Sequence, residues 1–122
     1  MDTLIINKTK STPQIIIDCD KGIVELEGSC MPEDSVDFFK PVYDKVDCFQ
    51  NLSTQKLTVI LNVDYVNSGA LKAFIDLFIK FKDLGLTIID ITWMVEADDE
   101  ELIDTIEDIH RISDLDFHFK YI

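Results

Sequence analysis

Cysteine is scarce in this chain, and its spacing argues against the structures that cysteine most often builds. There are three cysteines, Cys19, Cys30 and Cys48, an odd number with no CxxC pair. A disulfide framework needs paired cysteines and a structural zinc site needs closely spaced ligands, so neither is expected. We predict three reduced thiols that serve mostly as small apolar side chains of the core in a cytoplasmic protein.

Long apolar runs are also missing. The first ten residues, MDTLIINKTK, lack the basic stretch followed by an apolar stretch that marks a secretory signal. Elsewhere, charged residues interrupt the apolar runs well short of the roughly 20 residues that a membrane-spanning helix needs. The sequence therefore predicts no membrane insertion.

Basic residues are few: 11 lysines and arginines stand against 24 acidic residues, which gives a net charge of −13. Such a surface repels nucleic-acid phosphates and anionic membranes, so protein partners that are basic or neutral are favoured. The chain also lacks a glycine-rich phosphate loop and a paired-histidine motif. We expect no nucleic-acid partner, no cofactor and no metal ion.

Two acidic segments invite comparison with cation sites. DCDKGIVELEGS, from Asp18, resembles an EF-hand loop at its first and third positions, but Gly22 occupies the fifth position rather than the sixth. Ser29 stands where the bidentate glutamate belongs, so a hairpin turn is the better interpretation. The second segment, EADDEE, is typical of the first turn of a helix, where the helix dipole favours carboxylates.

Alternating strand-like and helix-like segments fill the rest of the chain. Candidate strands read TLIIN, QIIID, IVELEG, LTVILNVDYV, LTIIDITWMV and FHFKYI. Candidate helices start at Pro32, with Pro41 expected to kink or break the helix, at Ser68, and at Asp98 with Glu101 as a capping box. The order β-β-β-α-β-α-β-α-β predicts an α/β fold, a mixed sheet of about six strands covered by three helices in a single domain, residues 1–122.

The segment NVDYVNSGALKAF places Ser68 where the best strand becomes a helix. The simplest interpretation of Ser68 is a helix N-cap, whose hydroxyl accepts a backbone hydrogen bond. A helix N-terminus also favours negative charge, so a phosphate on Ser68 is compatible with the same geometry. Gly69 leaves space beside the hydroxyl, and Lys72 follows one helical turn later. Local pattern alone leaves cap and phosphoacceptor both open.

Catalysis by Ser68 is disfavoured. The elbow pattern G-x-S-x-G is absent, and only His110 and His118 are available as a base. We find no convergent acid–base pair elsewhere, so the protein is not expected to be an enzyme.

Features spread along nearly the whole chain make it resemble the SiaC-type regulatory phosphoproteins of bacteria. The matching features are, in order, Ser11-Thr12-Pro13, Ile17-Asp18, Gly22, Gly28, Pro32-Glu33, Phe38-Phe39, Pro41-Val42, Tyr65, Asn67, Leu71-Lys72, Ile91 to Trp93, and Asp98-Asp99-Glu100. The family's fold is similar to the STAS domain of anti-sigma-factor antagonists. The resemblance therefore implies a STAS-like fold.

The same resemblance implies a partner switch. In the family a cognate kinase phosphorylates the turn between strand and helix, and a PP2C-type phosphatase reverses the modification. The unphosphorylated form binds and regulates a target, in the best-known branch a diguanylate cyclase. We therefore expect a phosphorylation-controlled adaptor without enzymatic activity; the alternative is a constitutive scaffold module in which Ser68 is only a helix cap.

Carried over residue by residue, the resemblance assigns Ser68 as the phosphoacceptor and Asn67 as the family's preceding asparagine. The implied partner-binding residues are Tyr65, Asn67, Ser68, Gly69, Leu71 and Lys72. Here serine replaces the usual threonine, and Gly69-Ala70 replaces a Ser-Ser pair. Before the first helix, Cys30 to Asp34 read Cys-Met-Pro-Glu-Asp where Ser-Tyr-Pro-Glu-Asn is usual.

Overall fold

A computed structural model describes residues 3–122. The strands are β1 (Thr3–Ile6), β2 (Gln14–Asp18), β3 (Ile23–Cys30), β4 (Lys56–Val66), β5 (Ile88–Val95) and β6 (His118–Tyr121). The helices are α1 (Ser35–Val46), α2 (Ser68–Asp83) and α3 (Glu100–Ser113), and a 3-10 helix, Asp47–Asn51, follows α1. This order confirms the predicted β-β-β-α-β-α-β-α-β fold.

One mixed sheet holds the six strands in chain order. Strands β1, β2 and β3 are antiparallel neighbours, whereas β3 to β6 are all parallel. Parallel neighbours need crossover connections, and α1, α2 and α3 provide them. Because such crossovers are right-handed and the strand order never reverses, the three helices cover the same face of the sheet. The carboxyl ends of β3, β4 and β5 therefore lie at one edge, beside the starts of the helices.

The core lies between this sheet face and the helices. Alternate residues of each central strand are buried, including Val24, Leu26, Val59, Leu61 and Ile91, as the period of two in a strand requires. An aromatic cluster fills the centre: the Phe74 ring lies 5.6 Å from Phe39 and 5.5 Å from Trp93, measured between centroids. These aromatic residues are core, as their sequence pattern indicates.

Two helix boundaries and one expected kink differ from the prediction. Helix α1 begins at Ser35, not at Pro32, because Asp34 is the N-cap and its Oδ1 accepts from the Asp37 N–H at 3.1 Å. It continues unbroken through Pro41, which lies on the exposed side. Helix α3 is capped by Asp99 rather than Asp98, with Asp99 Oδ1 accepting from the Leu102 N–H at 3.1 Å.

The cysteine prediction is wrong for two of the three residues. Cys19, just after β2, and Cys48, in the 3-10 helix, form a disulfide across a sequence separation of 29 residues. Cys30 remains a free, fully buried thiol, as expected. Burial raises the Cys30 pKa to about 12, because the thiolate loses its hydration in the core.

We expect the thiols to be counted accordingly in a labelling experiment. Without reductant, no thiol of the native protein should react with Ellman's reagent, because Cys30 is buried and uncharged. Unfolding in guanidinium should expose one thiol, and unfolding after reduction should expose three. Three reactive thiols on unfolding without reductant would show that the disulfide is absent.

Within residues 3–122, no helix combines the length and the apolar character needed to cross a bilayer.

Candidate functional site

The turn between β4 and α2 is built around Asn67. Its Oδ1 accepts from the Ala70 N–H at 2.8 Å, so Asn67 is the N-cap of α2. Its own backbone N–H donates to the Cys30 carbonyl at 3.1 Å, and its Nδ2 donates to the Pro32 carbonyl at 3.4 Å. Asn67 therefore fastens the start of α2 to the segment that follows β3.

Ser68 is the first residue of α2, and the expectation that it caps the helix is wrong. The cap position one residue earlier is occupied by Asn67. The Ser68 side chain is exposed, and its hydroxyl forms no hydrogen bond with any residue of the described range 3–122. The hydroxyl therefore has no structural task in the fold and is accessible at the positive end of a helix dipole.

A groove of 650 Å³ separates the start of α2 from the start of α1. Pro32, Glu33, Asp34, Ser35, Val36, Asn67, Ser68, Gly69 and Lys72 line this surface, which we call the Ser68 groove. The two helix starts lie close together at Gly69 and Ser35: a Cβ on Gly69 would lie 3.0 Å from the Ser35 Oγ. A larger residue at position 69 would thus have to displace the Ser35 hydroxyl.

The sequence did not predict the contribution of α1 to this groove. By its spacing Val36 fits the apolar stripe of α1 that faces the core, yet its side chain is 79% exposed beside the Ser68 groove. Because the sequence predicts that the helix starts at Pro32, it does not place Ser35 and Val36 in the first turn, where the structure has them. The available signal was Asp34, three residues before Asp37, which is the spacing of a capping side chain and the N–H that it accepts from.

The predicted partner-binding residues do not all lie together. Asn67, Ser68, Gly69 and Lys72 line the Ser68 groove. Leu71 is partly buried and packs against the core, and Tyr65, 46% exposed, lines a separate groove on the other side of the turn, toward α3.

Charges around the Ser68 groove have both signs. Glu33 and Asp34 lie on the α1 side, and the exposed Lys72 lies one turn along α2 from Ser68. An added phosphate on Ser68 would meet the α2 dipole and Lys72 favourably and the two carboxylates unfavourably.

The remaining sequence candidates lie elsewhere in ordinary structural roles. Asp18 closes the β2–β3 turn, where its Oδ1 accepts from the N–H groups of Asp20 and Lys21 at 3.1 and 3.0 Å. His110 and His118 are exposed and lie near Asp116 and Asp90, respectively. In the described part of the chain, neither histidine bonds to Ser68, and no group of three or more His, Cys, Asp or Glu is arranged to hold a metal ion.

Substituting the true cap should cost stability, whereas substituting Ser68 should not. We expect Asn67→Ala to lower the free energy of unfolding by about 0.5–2 kcal/mol, since the Ala70 N–H loses its partner. Ser68→Ala should change it by less than about 0.5 kcal/mol, as for an ordinary surface position. Urea denaturation followed by circular dichroism measures both. A larger loss for Ser68→Ala than for Asn67→Ala would contradict the assignment of the cap.

The chain is similar to known proteins over nearly its whole length. Residues 6–122 match the model of the SiaC family regulatory phosphoproteins. An uncharacterised protein of Pseudomonas aeruginosa strain UCBPP-PA14 is 27% identical over 113 residues, which cover 91% of this chain and 90% of the relative.

Solved structures with the same fold include SiaC of Pseudomonas aeruginosa, with a TM-score of 0.82 and 27% identity over 100% of this chain and 98% of that one. Apo-SiaC from the same organism gives a TM-score of 0.85 and 25% identity, covering 98% and 99% of the two chains. The complex of the diguanylate cyclase SiaD with its activator SiaC, also from Pseudomonas aeruginosa, gives a TM-score of 0.86, with 24% identity and 98% and 99% coverage.

The family match extends over all three helices and all the strands from β2 onward, and thus over the capped turn and both helix starts that form the Ser68 groove. It confirms the resemblance noted in the sequence and the regulatory role that the resemblance implied. This chain belongs to the SiaC family of regulatory phosphoproteins.

Proposed function

We propose that this protein is a phosphorylation-controlled adaptor that activates a diguanylate cyclase when Ser68 is unmodified. The observation that carries the proposal is the Ser68 hydroxyl, which is exposed, free of hydrogen bonds within residues 3–122, and placed at the start of α2. A modifying enzyme therefore has access to it without any unfolding. Pseudomonas aeruginosa SiaC, which shares the fold, is the activator of the diguanylate cyclase SiaD.

The proposed partner face is the Ser68 groove. Leu71, partly buried, adjoins it, and Tyr65 lies across the turn in a groove of its own. Val36 offers exposed apolar surface for contact, and Gly69 leaves room for the Ser35 hydroxyl between the two helix starts. When the hydroxyl is unmodified, the partner covers the groove. A phosphate adds about −1.5 to −2 charges at the centre of that face and disfavours the complex by desolvation and repulsion from Glu33 and Asp34.

A cognate kinase and a PP2C-type phosphatase complete the proposed switch. Both act on the same exposed turn, and the protein itself contributes binding rather than catalysis. We place the protein in the cytoplasm, where the nucleotide substrates of the kinase and the cyclase are present. Disulfides such as Cys19–Cys48 are uncommon in the cytoplasm. The labelling experiment that counts free thiols therefore also tests the proposed location.

Phosphosite mapping tests the assignment even when the kinase is unidentified. The tagged protein is recovered from cells of its own organism and analysed by mass spectrometry, as wild type and as Ser68→Ala and Ser35→Ala variants. We expect phosphate on Ser68 in the wild type and in Ser35→Ala, and none at this turn in Ser68→Ala. Ser35 is the matched control because it lines the same groove. Phosphate on another residue, with Ser68 unmodified, would end the proposal and favour a constitutive scaffold.

A further inference from the structure

A second groove, which we call the Tyr65 groove, lies on the opposite side of the Ser68 turn. It has a volume of 250 Å³ and runs between the end of β4 and the start of α3. Its apolar lining comes from Tyr65, Val66 and Leu102, and its rim carries Asp64, Asp99 and Glu101. A neighbouring cavity of 410 Å³ shares Asp64, Asp99 and Leu102 and extends the groove toward Met94 and Ile122.

An irregularity in β4 exposes the tyrosine. The pairing of β3 with β4 shifts register between Gly28 and Ser29, so Tyr65 rather than Asp64 lies opposite Ser29. Asp64 is the extra residue, and its Oδ1 accepts a hydrogen bond from the Ser29 hydroxyl at 2.7 Å. Tyr65 is left 46% exposed. The bulge therefore presents an aromatic ring at the groove, a residue type that partner surfaces favour.

The carboxylates of the rim form no ion pair with a basic side chain in the described part of the chain. The ion pairs of Lys8, Lys40, Lys80, Lys82 and Arg111 all lie elsewhere. From Asp83 to His110 the sequence has ten acidic residues and no lysine or arginine. The negative potential at the groove is therefore not neutralised from within and attracts a cationic partner.

Other occupants fit the groove less well. A divalent cation needs converging ligands, and no group of three or more His, Cys, Asp or Glu within residues 3–122 is arranged to hold one. A second copy of the chain would bring another acidic rim against this one, and like charges placed together in an interface are costly. Nucleic acid and anionic lipid are repelled for the same reason.

We infer that the Tyr65 groove binds a basic segment of a protein partner. An aliphatic side chain of the segment packs on Tyr65, Val66 and Leu102, while flanking arginine or lysine side chains pair with Glu101 and its acidic neighbours. An arginine can also stack on the exposed face of the Tyr65 ring. This surface goes beyond the proposed switch, because Ser68 lines the other groove and its modification leaves the Tyr65 groove intact.

A synthetic nonapeptide of arginines with one central leucine is the probe, and a counterpart with glutamine in place of every arginine is the reference. We expect the arginine peptide to shift the amide NMR signals of Tyr65, Leu102 and Thr105 and the glutamine peptide to leave them unchanged. The affinity should fall as salt is raised, because the contact is electrostatic at its rim. Shifts spread over the whole acidic surface, or an equal response to MgCl2 alone, would overturn the inference.

Matched substitutions separate the groove from the general charge of the protein. Glu101→Lys should weaken binding of the arginine peptide at least about tenfold, because it reverses a charge on the rim. Glu107→Lys makes the same change of net charge on an exposed site of α3 outside the lining and should leave the affinity within about twofold. Equal losses in the two variants would refute a defined site.

Two further variants serve as controls. One separates loss of binding from loss of folding, and the other separates peptide binding from the proposed phosphoswitch. Tyr65→Ala should also weaken binding, with an unchanged circular dichroism spectrum, because it removes an exposed ring. Ser68→Asp should bind the arginine peptide like the wild type even if it loses the cyclase. Loss of peptide binding in Ser68→Asp would show that the two grooves form one surface and would contradict the inference.

Discussion

The Ser68→Asp variant should bind the proposed cyclase partner at least about thirtyfold more weakly than the wild type, which corresponds to a loss of about 2 kcal/mol. The carboxylate would be buried against the partner beside Glu33 and Asp34 without a dedicated counter-charge other than Lys72. Ser68→Ala should bind as well as the wild type, since the hydroxyl makes no bond within the described residues. Isothermal titration calorimetry with the purified cyclase measures both affinities.

Ser53→Asp provides the matched control for that experiment. Ser53 is an exposed serine that precedes β4, whereas Ser68 follows the other end of the same strand. The 11 residues of β4 span roughly 35 Å, so the control adds the same charge far from the proposed face. A loss of affinity shared by Ser53→Asp and Ser68→Asp would trace the effect to net charge. An unchanged affinity for Ser68→Asp would remove the groove from the interface.

Reduction of the Cys19–Cys48 disulfide should lower the free energy of unfolding by about 3–4 kcal/mol. The bond closes a loop with a sequence separation of 29 residues, and the expected loss is the chain entropy that the unfolded state regains when that loop opens. Urea denaturation with and without dithiothreitol measures the difference. The loss would be a large fraction of the 5–15 kcal/mol that stabilises most domains.

A Cys48→Ser variant isolates the bond from other effects of the reductant. It cannot form the disulfide, so its stability should match that of the reduced wild type and should not change with dithiothreitol. Wild-type protein whose stability is the same with and without reductant would contradict the pairing. Retained partner binding after reduction is also expected, because Cys19 and Cys48 line neither the Ser68 groove nor the Tyr65 groove.

The strands, the helices and their order along the chain were predictable because hydrophobic periodicity is a local property. Every second residue of LTVILNVDYV is apolar, which predicts that one face of this strand is buried. The buried residues are indeed Leu57, Val59, Leu61 and Val63. Likewise, the helical spacing of Leu71, Phe74, Ile75, Phe78 and Phe81 predicts the inner face of α2; Phe74, Phe78 and Phe81 are buried, whereas Leu71 and Ile75 are partly buried. Gly85, just past the helix, has a φ of +69°, which suits glycine at a helix end.

Cysteine pairing was not predictable from spacing, because it depends on which distant segments meet. Cys19 follows a strand and Cys48 follows a helix, and they come together only because α1 packs back over β2. The β4 bulge was hidden for a similar reason: the register of β4 is set by its pairing with β3 and not by its own sequence. The sequence places Tyr65 only three residues before Ser68. The two side chains nevertheless line different grooves, and the bulge turns Tyr65 toward the groove beside α3.

The cap was misassigned because asparagine and serine are both favoured at that position. Asn67 and Ser68 are adjacent, so the pattern could not decide which side chain turns toward the Ala70 N–H. The structure decides it through Asn67, whose amide also reaches the Pro32 carbonyl and so needs the inward position. That assignment matters for the proposed function, because it leaves the exposed Ser68 hydroxyl without a capping role.

Cyclase activity in the presence of each form of the protein tests the proposed phosphoswitch. The diguanylate cyclase partner is assayed with increasing amounts of the unmodified protein and, in parallel, of protein carrying phosphoserine at position 68 by semisynthesis. We expect the unmodified protein to raise cyclic di-GMP formation to saturation and the phosphorylated protein to have no such effect. Equal activation by the two forms, with the phosphate shown by mass spectrometry to remain on Ser68, would contradict the proposed switch.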